Sequence, residues 1–391
     1  MYLKNRKKKL SILIYSLAGG GAERVVSILL KELQKKYTIT LVLMRDKIDY
    51  DIPNEVEVFF LENSNPYENG IKKLLKLPFL GLKYKIFCIE NEIDVSLAFM
   101  NRPSYVAIFS KLFGNSVRNI ISERTTPSMM YRHDNLLSKI SKLLIKKLYP
   151  KADLIIANAK GNRRDLIDNF GIEEEHVVTI PNLFDLKKIE SLSKEAVSSI
   201  TFDKFTFVTV GRLDRGKNHK LMIDAFSELE DNFTQLIILG EGVERERLEE
   251  QIREENLEKR VFLVGFDNNP YKYFSKSDVF LFSSSYEGFP NVLVEALACG
   301  LPVISTDCKS GPKEILAPKS DSSFQLQEGI EWGEYGVLFP VNKKEELVNA
   351  MNSLYRDKKR REDYANKTIQ RAKYFDKDTV MNRFIEKIEG V

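Results

Sequence analysis

Two short segments of the chain combine cations, carboxylates and glycines directly after apolar runs. The first, residues 211–217, reads GRLDRGK and follows the apolar run 205–210. Arg212 and Lys217 are expected at the carboxyl end of a strand and beside a helix N-terminus, a geometry that suits a diphosphate. On spacing alone, two solvated loop cations remain the alternative. The segment lacks the Walker pattern, so it does not indicate a nucleoside triphosphatase.

The second segment, residues 283–304, carries two glutamates eight residues apart. Glu287 lies in a glycine-containing loop, and Glu295 lies on a helix expected to begin near Pro290. Such a carboxylate pair can accept hydrogen bonds from sugar and ribose hydroxyls. A helix dipole would explain Glu287 alone, but a carboxylate within the apolar helix needs a partner. The first turn of that helix offers backbone amides to a phosphate, those of Asn291, Val292 and Leu293.

A third segment, GGGAER at residues 19–24, follows the first apolar run of the chain. Gly20 and Gly21 would let the backbone approach a ligand closely, ahead of a helix N-terminus that can hold an anion. The segment does not match the dinucleotide-binding pattern G-x-G-x-x-G. A tight turn between strand and helix is the alternative.

These segments need parallel sheets to position them. Short apolar runs alternate with amphipathic helical stretches throughout the chain, which is typical of parallel sheets covered by helices on both faces. We therefore predict an α/β protein of two doubly wound, Rossmann-like domains facing each other across a cleft. The polar stretch 186–204 marks the boundary. The predicted domains are residues 1–190 and 200–370, followed by a C-terminal helix at 371–391 that could pack back on the first domain.

The composition, 43% hydrophobic and 30% charged with 20 Gly and 13 Pro, excludes collagen-like and disordered classes. Three scattered cysteines indicate a reducing compartment, and no Cys/His cluster has the spacing of a zinc site. The charge is uneven: residues 1–185 carry 29 Lys and Arg against 21 Asp and Glu, and the remainder 31 against 35. The basic half indicates an anionic partner.

Two basic segments of the first half interleave lysines with apolar residues. In the first, residues 72–85, Pro78 and Gly81 are expected to break the helix. The other is a basic amphipathic helix at 136–148, and a solvated helix face is the alternative reading of both. Because no run of about 18 apolar residues occurs, membrane contact would be peripheral. The candidate contacts to anionic lipid or a lipid diphosphate are Lys72, Lys73, Lys76, Lys139, Lys142 and Lys146.

The two segments of the second half, with LGEG at 239–242 and VFLVGF at 261–266, resemble the signature of glycosyltransferase family 4. GGAER at 20–24 and Pro181-Asn182 extend the resemblance to nearly the whole chain. It implies the GT-B fold and a retaining, nucleotide-sugar-dependent enzyme. GGAER together with SGPKEIL at 310–316 is similar to bacterial enzymes that extend lipid-linked oligosaccharides for surface polysaccharides or protein glycans.

The resemblance implies roles for individual residues. Arg212 and Lys217 would hold the donor diphosphate and stabilise the leaving nucleoside diphosphate, with no metal or other cofactor. Glu287 would contact the donor sugar, and Glu295 the ribose. The other donor-binding positions would be Gly20, Gly21, Gly265, Phe266, Phe289, Pro290, Asn291, Val292 and Leu293.

One departure concerns the loop after the apolar run 119–122, where many family members carry a histidine. Here the loop reads SERTTP, and Arg124 is the candidate catalytic residue for that location. His133, nine residues further on, is a second candidate. His176 and His219 are interpreted as ordinary polar positions.

The expected function is retaining transfer of a hexose or N-acetylhexosamine, such as N-acetylgalactosamine, from a UDP-sugar to a saccharide on undecaprenyl diphosphate. The process would be bacterial surface polysaccharide, lipopolysaccharide, capsule or glycan assembly. The enzyme would be cytoplasmic and peripheral on the inner face of the anionic membrane. The alternatives are a family 4 transferase with a soluble acceptor, and a non-catalytic nucleotide-sugar-binding or scaffold subunit. Binding of nucleic acid is not expected, because no recognition motif occurs and the glutamate pair would go unexplained.

Overall fold

The computed structural model describes residues 6–229 and 231–390, and the chain divides into two compact units. The first unit contains the described residues up to Leu183 together with those from Lys377. The second runs from Phe184 to Asp376. The terminal positions 1 and 391 of the predicted domain ranges lie outside the described residues.

The first unit is built on seven strands: β1 (Lys9–Ile14), β2 (Thr38–Leu43), β3 (Glu57–Phe60), β4 (Val95–Phe99), β5 (Arg118–Glu123), β6 (Leu154–Ala157) and β7 (Val177–Thr179). They form one parallel sheet in the order β3-β2-β1-β4-β5-β6-β7. Successive side chains of a strand point to opposite faces. Ile12 and Ile14 of β1 therefore enter one core, and Leu13 between them enters the other.

The helices of this unit cover both faces of the sheet. They are α1 (Gly21–Leu33), α2 (Gly70–Leu75), α3 (Leu77–Glu90), α4 (Asn101–Leu112), α5 (Pro127–Met130), α6 (Leu136–Leu148) and α7 (Lys160–Phe170), with 3-10 helices at Tyr149–Lys151 and Glu174–His176. The prediction that Pro78 and Gly81 break a helix is wrong for Gly81. Pro78 lies in the first turn of α3, where its missing N–H costs nothing. Gly81 lies inside the same helix. The position suits glycine because a Cβ there would come within 2.5 Å of the Cβ of Phe109.

The second unit repeats the design with β8 (Phe205–Val210), β9 (Thr234–Leu239), β10 (Val261–Gly265), β11 (Val279–Phe282), β12 (Val303–Thr306), β13 (Glu331–Trp332) and β14 (Val337–Phe339). The order is β10-β9-β8-β11-β12-β14-β13. All pairs are parallel except that of β13 with β14. Each unit is thus a doubly wound α/β domain, as predicted.

The helices of the second unit are α8 (Leu186–Ser193), α9 (His219–Ser227), α10 (Arg245–Glu254), α11 (Tyr271–Phe274), α12 (Asn291–Ala298), α13 (Pro312–Leu316), α14 (Lys344–Arg356) and α15 (Lys358–Lys373). The predicted end of the first domain, residue 190, lies inside α8. That helix belongs to the second unit, where the amide of Asn269 donates to the carbonyl of Leu192 at 2.8 Å. The Ser- and Lys-rich composition of 186–204 concealed its short apolar face.

The last helix, α16 (Lys377–Glu389), belongs to the first unit. Val380, Met381, Phe384 and Ile388 enter the core that contains Ile12 and Ile14. Glu389 at its end accepts hydrogen bonds from Tyr37 at 2.6 Å and from Lys8 at 2.7 Å. The chain therefore returns to its first domain after it has completed the second.

Candidate active site

The loop after β8 holds the two predicted cations. The Asp214 carboxylate accepts hydrogen bonds from the amides of Gly216 and Lys217 at 2.9 and 3.1 Å, a turn that aspartate favours. Asn218 then adopts a left-handed conformation and caps α9. The loop thereby fixes Lys217 at the carboxyl end of a strand and ahead of a helix N-terminus, as its spacing indicated.

A glycine turn after β9 packs directly on this loop. A Cβ on Gly240 would lie 1.9 Å from the carbonyl oxygen of Gly211, and one on Gly242 would lie 2.3 Å from that of Leu213. The amide of Gly211 donates to Leu239, and that of Leu213 to Glu241, both at 3.0 Å. Only residues without a side chain allow the two backbones to approach so closely.

The ammonium of Lys217 donates to Oε1 of Glu287 at 2.5 Å. The two side chains are only 25% and 14% exposed. Ser283, at the end of β11, donates from its hydroxyl to the carbonyls of Lys217 and Asn218 at 2.8 and 2.9 Å. The loops after β8 and β11 are therefore joined through backbone as well as side chains, and they bring together one predicted cation and one predicted carboxylate.

Arg212 is more loosely held. Its side chain is 83% exposed, and its Nε lies 3.6 Å from Oδ2 of Asp214. An exposed ion pair of this kind contributes about 1 kcal/mol or less. The guanidinium can therefore leave Asp214 for a ligand at little cost.

Glu295 lies on α12 and is buried, with 2% of its surface exposed. Burial, with the charge of Glu295 adding to it, raises the pKa of Cys299 on the next turn to about 12. In the first turn of α12, the amide of Leu293 donates to the carbonyl of Pro290 at 3.1 Å. The amide of Leu293 is thus engaged within the turn, whereas Asn291 and Val292 begin the helix as expected, and the phosphate contacts of all three stay predictions.

The remaining predicted donor positions fall into two groups. Gly265 ends β10, and its carbonyl accepts from the amide of Gly240 at 2.8 Å, so it lies beside the glycine turn. Phe266 follows it with 74% of its surface exposed. Phe289, by contrast, is buried and packs edge-on against Phe375 at 5.6 Å between ring centroids. Its side chain serves packing, so only its backbone is available to a ligand.

Three predicted positions belong to the first unit. Gly20 is the N-cap of α1 and Gly21 its first residue, at the carboxyl end of β1. Arg124, which follows β5, is buried with 7% exposed. Its guanidinium donates to Asn182 at 2.6 Å and lies 4.9 Å from the ring of Phe99. Burial lowers the pKa of Arg124 to about 9. These contacts hold the side chain in the interior, and its catalytic role stays a prediction.

Two buried groups near these loops were not predicted as functional residues: His219, interpreted from the sequence as an ordinary polar position, and Glu123. His219 opens α9, and burial, with Lys217 adding to it, lowers the pKa of His219 to about 4. Glu123 ends β5, and its carboxylate accepts from the amides of Arg124 and Thr125 at 2.9 and 3.0 Å. A charged residue that ends an apolar strand was the available signal for Glu123. His133, the second histidine candidate, is exposed.

Within residues 6–229 and 231–390, no three His, Cys, Asp or Glu side chains are grouped in a way that could hold a metal ion. The charged side chains of the candidate site include Arg212, Asp214, Lys217 and Glu287 on the loops and Glu295 on α12.

Comparison with known proteins gives the class of this fold. The Glycosyltransferase Family 4 model matches residues 19–188, and the model for glycosyl transferases group 1 matches residues 191–371. Solved structures of similar fold include sucrose-phosphate synthase of Thermosynechococcus elongatus, with a TM-score of 0.78 and 17% identity over 98% of this chain and 99% of that one. Another is Anabaena HepE in complex with UDP and glucose, with a TM-score of 0.76 and 21% identity over 98% and 100%. The fold is GT-B.

Sequence relatives are more specific. The N-acetylgalactosamine-N,N'-diacetylbacillosaminyl-diphospho-undecaprenol 4-alpha-N-acetylgalactosaminyltransferase of Campylobacter jejuni is 47% identical over 95% of this chain and 96% of its own length. A second transferase of that organism, which acts on a longer undecaprenol-linked saccharide, is 24% identical over 98% and 99%. The chain belongs to glycosyltransferase family 4 and is a glycosyltransferase.

Proposed function

We propose that the enzyme transfers N-acetylgalactosamine from its UDP derivative to a saccharide carried on undecaprenyl diphosphate, with retention of the anomeric configuration. The observation that carries this proposal is the 47% identity, over nearly the full length of both chains, with a transferase of that donor sugar and carrier. The loops after β8 and β11 supply the charges that such a transfer needs.

Departure of the nucleoside diphosphate is the step at which protein charge matters most. The bond between the anomeric carbon and the diphosphate oxygen breaks, and negative charge develops on that oxygen. Lys217 and Arg212 would stabilise this charge, because fixed cations in a partly desolvated site act where charge develops. This assignment needs no metal ion. Glu287 keeps the ammonium of Lys217 at the end of the strand until a diphosphate arrives.

The carboxylates of Glu295 and Glu287 would accept hydrogen bonds from hydroxyl groups of the donor. Glu295 is buried in α12 behind the first turn, and as an acceptor it suits the two hydroxyls of a ribose. Glu287 would accept from a hydroxyl of the transferred sugar. Phe266 offers an exposed aromatic face for the base.

Transfer then requires an acceptor hydroxyl that attacks the anomeric carbon from the side of the leaving group. Its proton passes to the departing phosphate oxygen, the new glycosidic bond forms, and UDP leaves. The configuration of the anomeric carbon is thereby retained without a covalent intermediate on the protein.

The proposed binding of the lipid-linked acceptor is supported by the basic surface of the first unit, that is, by the lysines of α2 and α6 and Lys76 between α2 and α3. Lys76 pairs with Glu68 and Lys139 with Asp134, whereas Lys72, Lys142 and Lys146 have no ion-pair partner among the described residues. Leu137 of α6 comes close to α2, since a Cβ on Gly70 would lie 3.4 Å from it. We infer that this surface contacts the anionic membrane that carries the acceptor. None of the helices in the described part of the chain is both long and apolar enough to span a bilayer.

The proposal is tested with purified enzyme, UDP-N-acetylgalactosamine and a saccharide acceptor on a polyprenyl diphosphate. We expect mass spectrometry to show addition of one N-acetylhexosamine, and NMR to show the α-linkage. UDP-glucose and the GDP derivatives serve as donor controls, and the same saccharide without its lipid diphosphate serves as the acceptor control. An inverted product, or equal transfer to the lipid-free saccharide, would contradict the proposal.

A further inference from the structure

A pocket of about 380 Å³ lies in the first unit, between α5, α6 and α7. No position predicted for the nucleotide sugar lines it. Two lysines, two apolar side chains and two uncharged polar residues form its walls: Lys142, Lys146, Leu143, Phe170, Ser128 and Asn169.

The cations of the pocket face the same way. Lys142 and Lys146 are four residues apart on α6 and so lie on one face of the helix, one turn apart. Both side chains are exposed, and neither has an ion-pair or hydrogen-bond partner in the part of the chain that the structure describes. Two ammonium groups at this spacing can bind the oxygens of one phosphate or of two linked phosphates.

No acidic side chain is among the six residues that line the pocket. Asp165, which bonds to two of them, is directed into the protein. Its oxygens accept from the backbone amide of Ser128 at 2.9 Å and from the hydroxyl of the same serine. They also accept from the side-chain amide of Asn169 at 2.8 Å. Asp165 is buried, so its charge is occupied by these donors and the free charge of the pocket is that of the lysines.

Apolar side chains adjoin the lysines. Leu143 follows Lys142 on α6, lines the pocket and exposes 56% of its surface. Phe170, the last residue of α7, is itself buried and forms part of the pocket wall. A free inorganic phosphate cannot bury this apolar area, whereas the hydrocarbon chain attached to a lipid phosphate can remove it from water.

We propose that this pocket binds the phosphate of a lipid, either an anionic phospholipid head group or the diphosphate of a polyprenyl carrier. The proposal deepens the membrane contact proposed above and rests on it. It differs from a general attraction to charge because Lys142 and Lys146 should contribute more to the binding than two other lysines of the same helix.

The experiment compares two double variants of the full chain that remove the same charge from the same helix. Lys142→Gln with Lys146→Gln alters the pocket, and Lys139→Gln with Lys147→Gln is the matched control. Co-sedimentation is measured with phosphatidylcholine vesicles, with vesicles that also contain phosphatidylglycerol, and with vesicles that contain undecaprenyl diphosphate instead. Glycerol phosphate is added as a competitor without a lipid chain.

We expect the control pair to weaken binding by the general share of two basic residues, on the order of 30-fold at low salt. The pocket pair should weaken it by at least about ten times more, in the phospholipid arm, the carrier arm or both, which identifies the source of the phosphate. Equal losses for the two pairs in every arm would overturn the proposal. Because no sugar transfer is measured, failure of the proposed reaction leaves this result unaffected.

Discussion

The ammonium of Lys217 and the carboxylate of Glu287 lie 2.5 Å apart although 70 residues separate them in the chain. The contact follows from the topology of the sheet. β8 and β11 are neighbouring parallel strands, with Phe207 opposite Val279, so the loops that follow them meet at one edge. A donor site at the carboxyl ends of these strands is what such a sheet supports.

Replacement of Lys217 by Ala should lower kcat by about 100- to 1000-fold at saturating donor, because on the proposed assignment it removes a fixed charge that stabilises the leaving diphosphate. Lys217→Arg should recover part of the rate. Arg212→Ala should show the larger effect on the KM of the donor, since its exposed side chain is free to follow the ligand. Steady-state kinetics with varied UDP-sugar measure both constants.

The matched control for these variants is Lys220→Ala. Lys220 is the second residue of α9 and pairs with the half-buried Asp224 at 2.7 Å, outside the loop. It should keep the wild-type rate. Near-normal rates for Arg212→Ala and Lys217→Ala would remove both residues from the diphosphate site.

Gly240→Ala should destabilise the second unit and weaken donor binding together. Gly240 has φ of +139°, and an added Cβ would overlap the carbonyl of Gly211 at 1.9 Å, so the loop that carries Arg212 must move. Gly300→Ala is the control, because Gly300 also has positive φ, +78°, but no atom within 4 Å of an added Cβ. That control should cost only about 1–2 kcal/mol of backbone strain. Similar losses of melting temperature and donor affinity in the two variants would contradict this account.

Much of this site could be predicted from the sequence because it depends on local pattern. Apolar runs followed by glycine-rich loops place Lys217 and Glu287 at strand ends, and the topology of parallel sheets brings those ends together. The burial of Glu295 follows from the apolar residues that surround it on α12. In each case the pattern of neighbouring residues in the sequence predicts the position that the residue takes in the fold.

The rest depends on contacts between residues distant in sequence. The sequence pattern predicts Gly81 to break a helix, but its close contact with Phe109 favours glycine within α3. The composition of α8 predicts a linker, but this helix packs beside Asn269. Arg124 follows a strand in the place of a catalytic residue, yet its guanidinium turns to Asn182 and Phe99. Periodicity and spacing do not encode these partners.

Phe384→Ala should destabilise the first unit by about 3–5 kcal/mol, since it removes a fully buried ring from the core shared with Ile12 and Ile14. Asn382→Ala on the exposed side of α16 is the control, with an expected change within about 0.5 kcal/mol. Urea unfolding monitored at a reporter within residues 6–183 measures both. Equal, small changes would mean that α16 contributes little to the stability of its unit.

His219 should make the protein sensitive to acid in a defined range. Its pKa falls from 6.5 to about 4 in the folded state through burial, with Lys217 adding to the effect. Between these two pH values the unfolded chain binds a proton that the folded chain does not, so stability is present above about pH 6.5 and falls as the pH is lowered toward 4. The full difference is on the order of 3 kcal/mol. His219→Gln removes the titrating group. A buried glutamine amide without a partner would also lower stability, but by the same amount at every pH. The informative quantity is therefore the slope of the unfolding free energy against pH, which should be smaller in the variant, and an unchanged slope would assign the acid sensitivity to other groups.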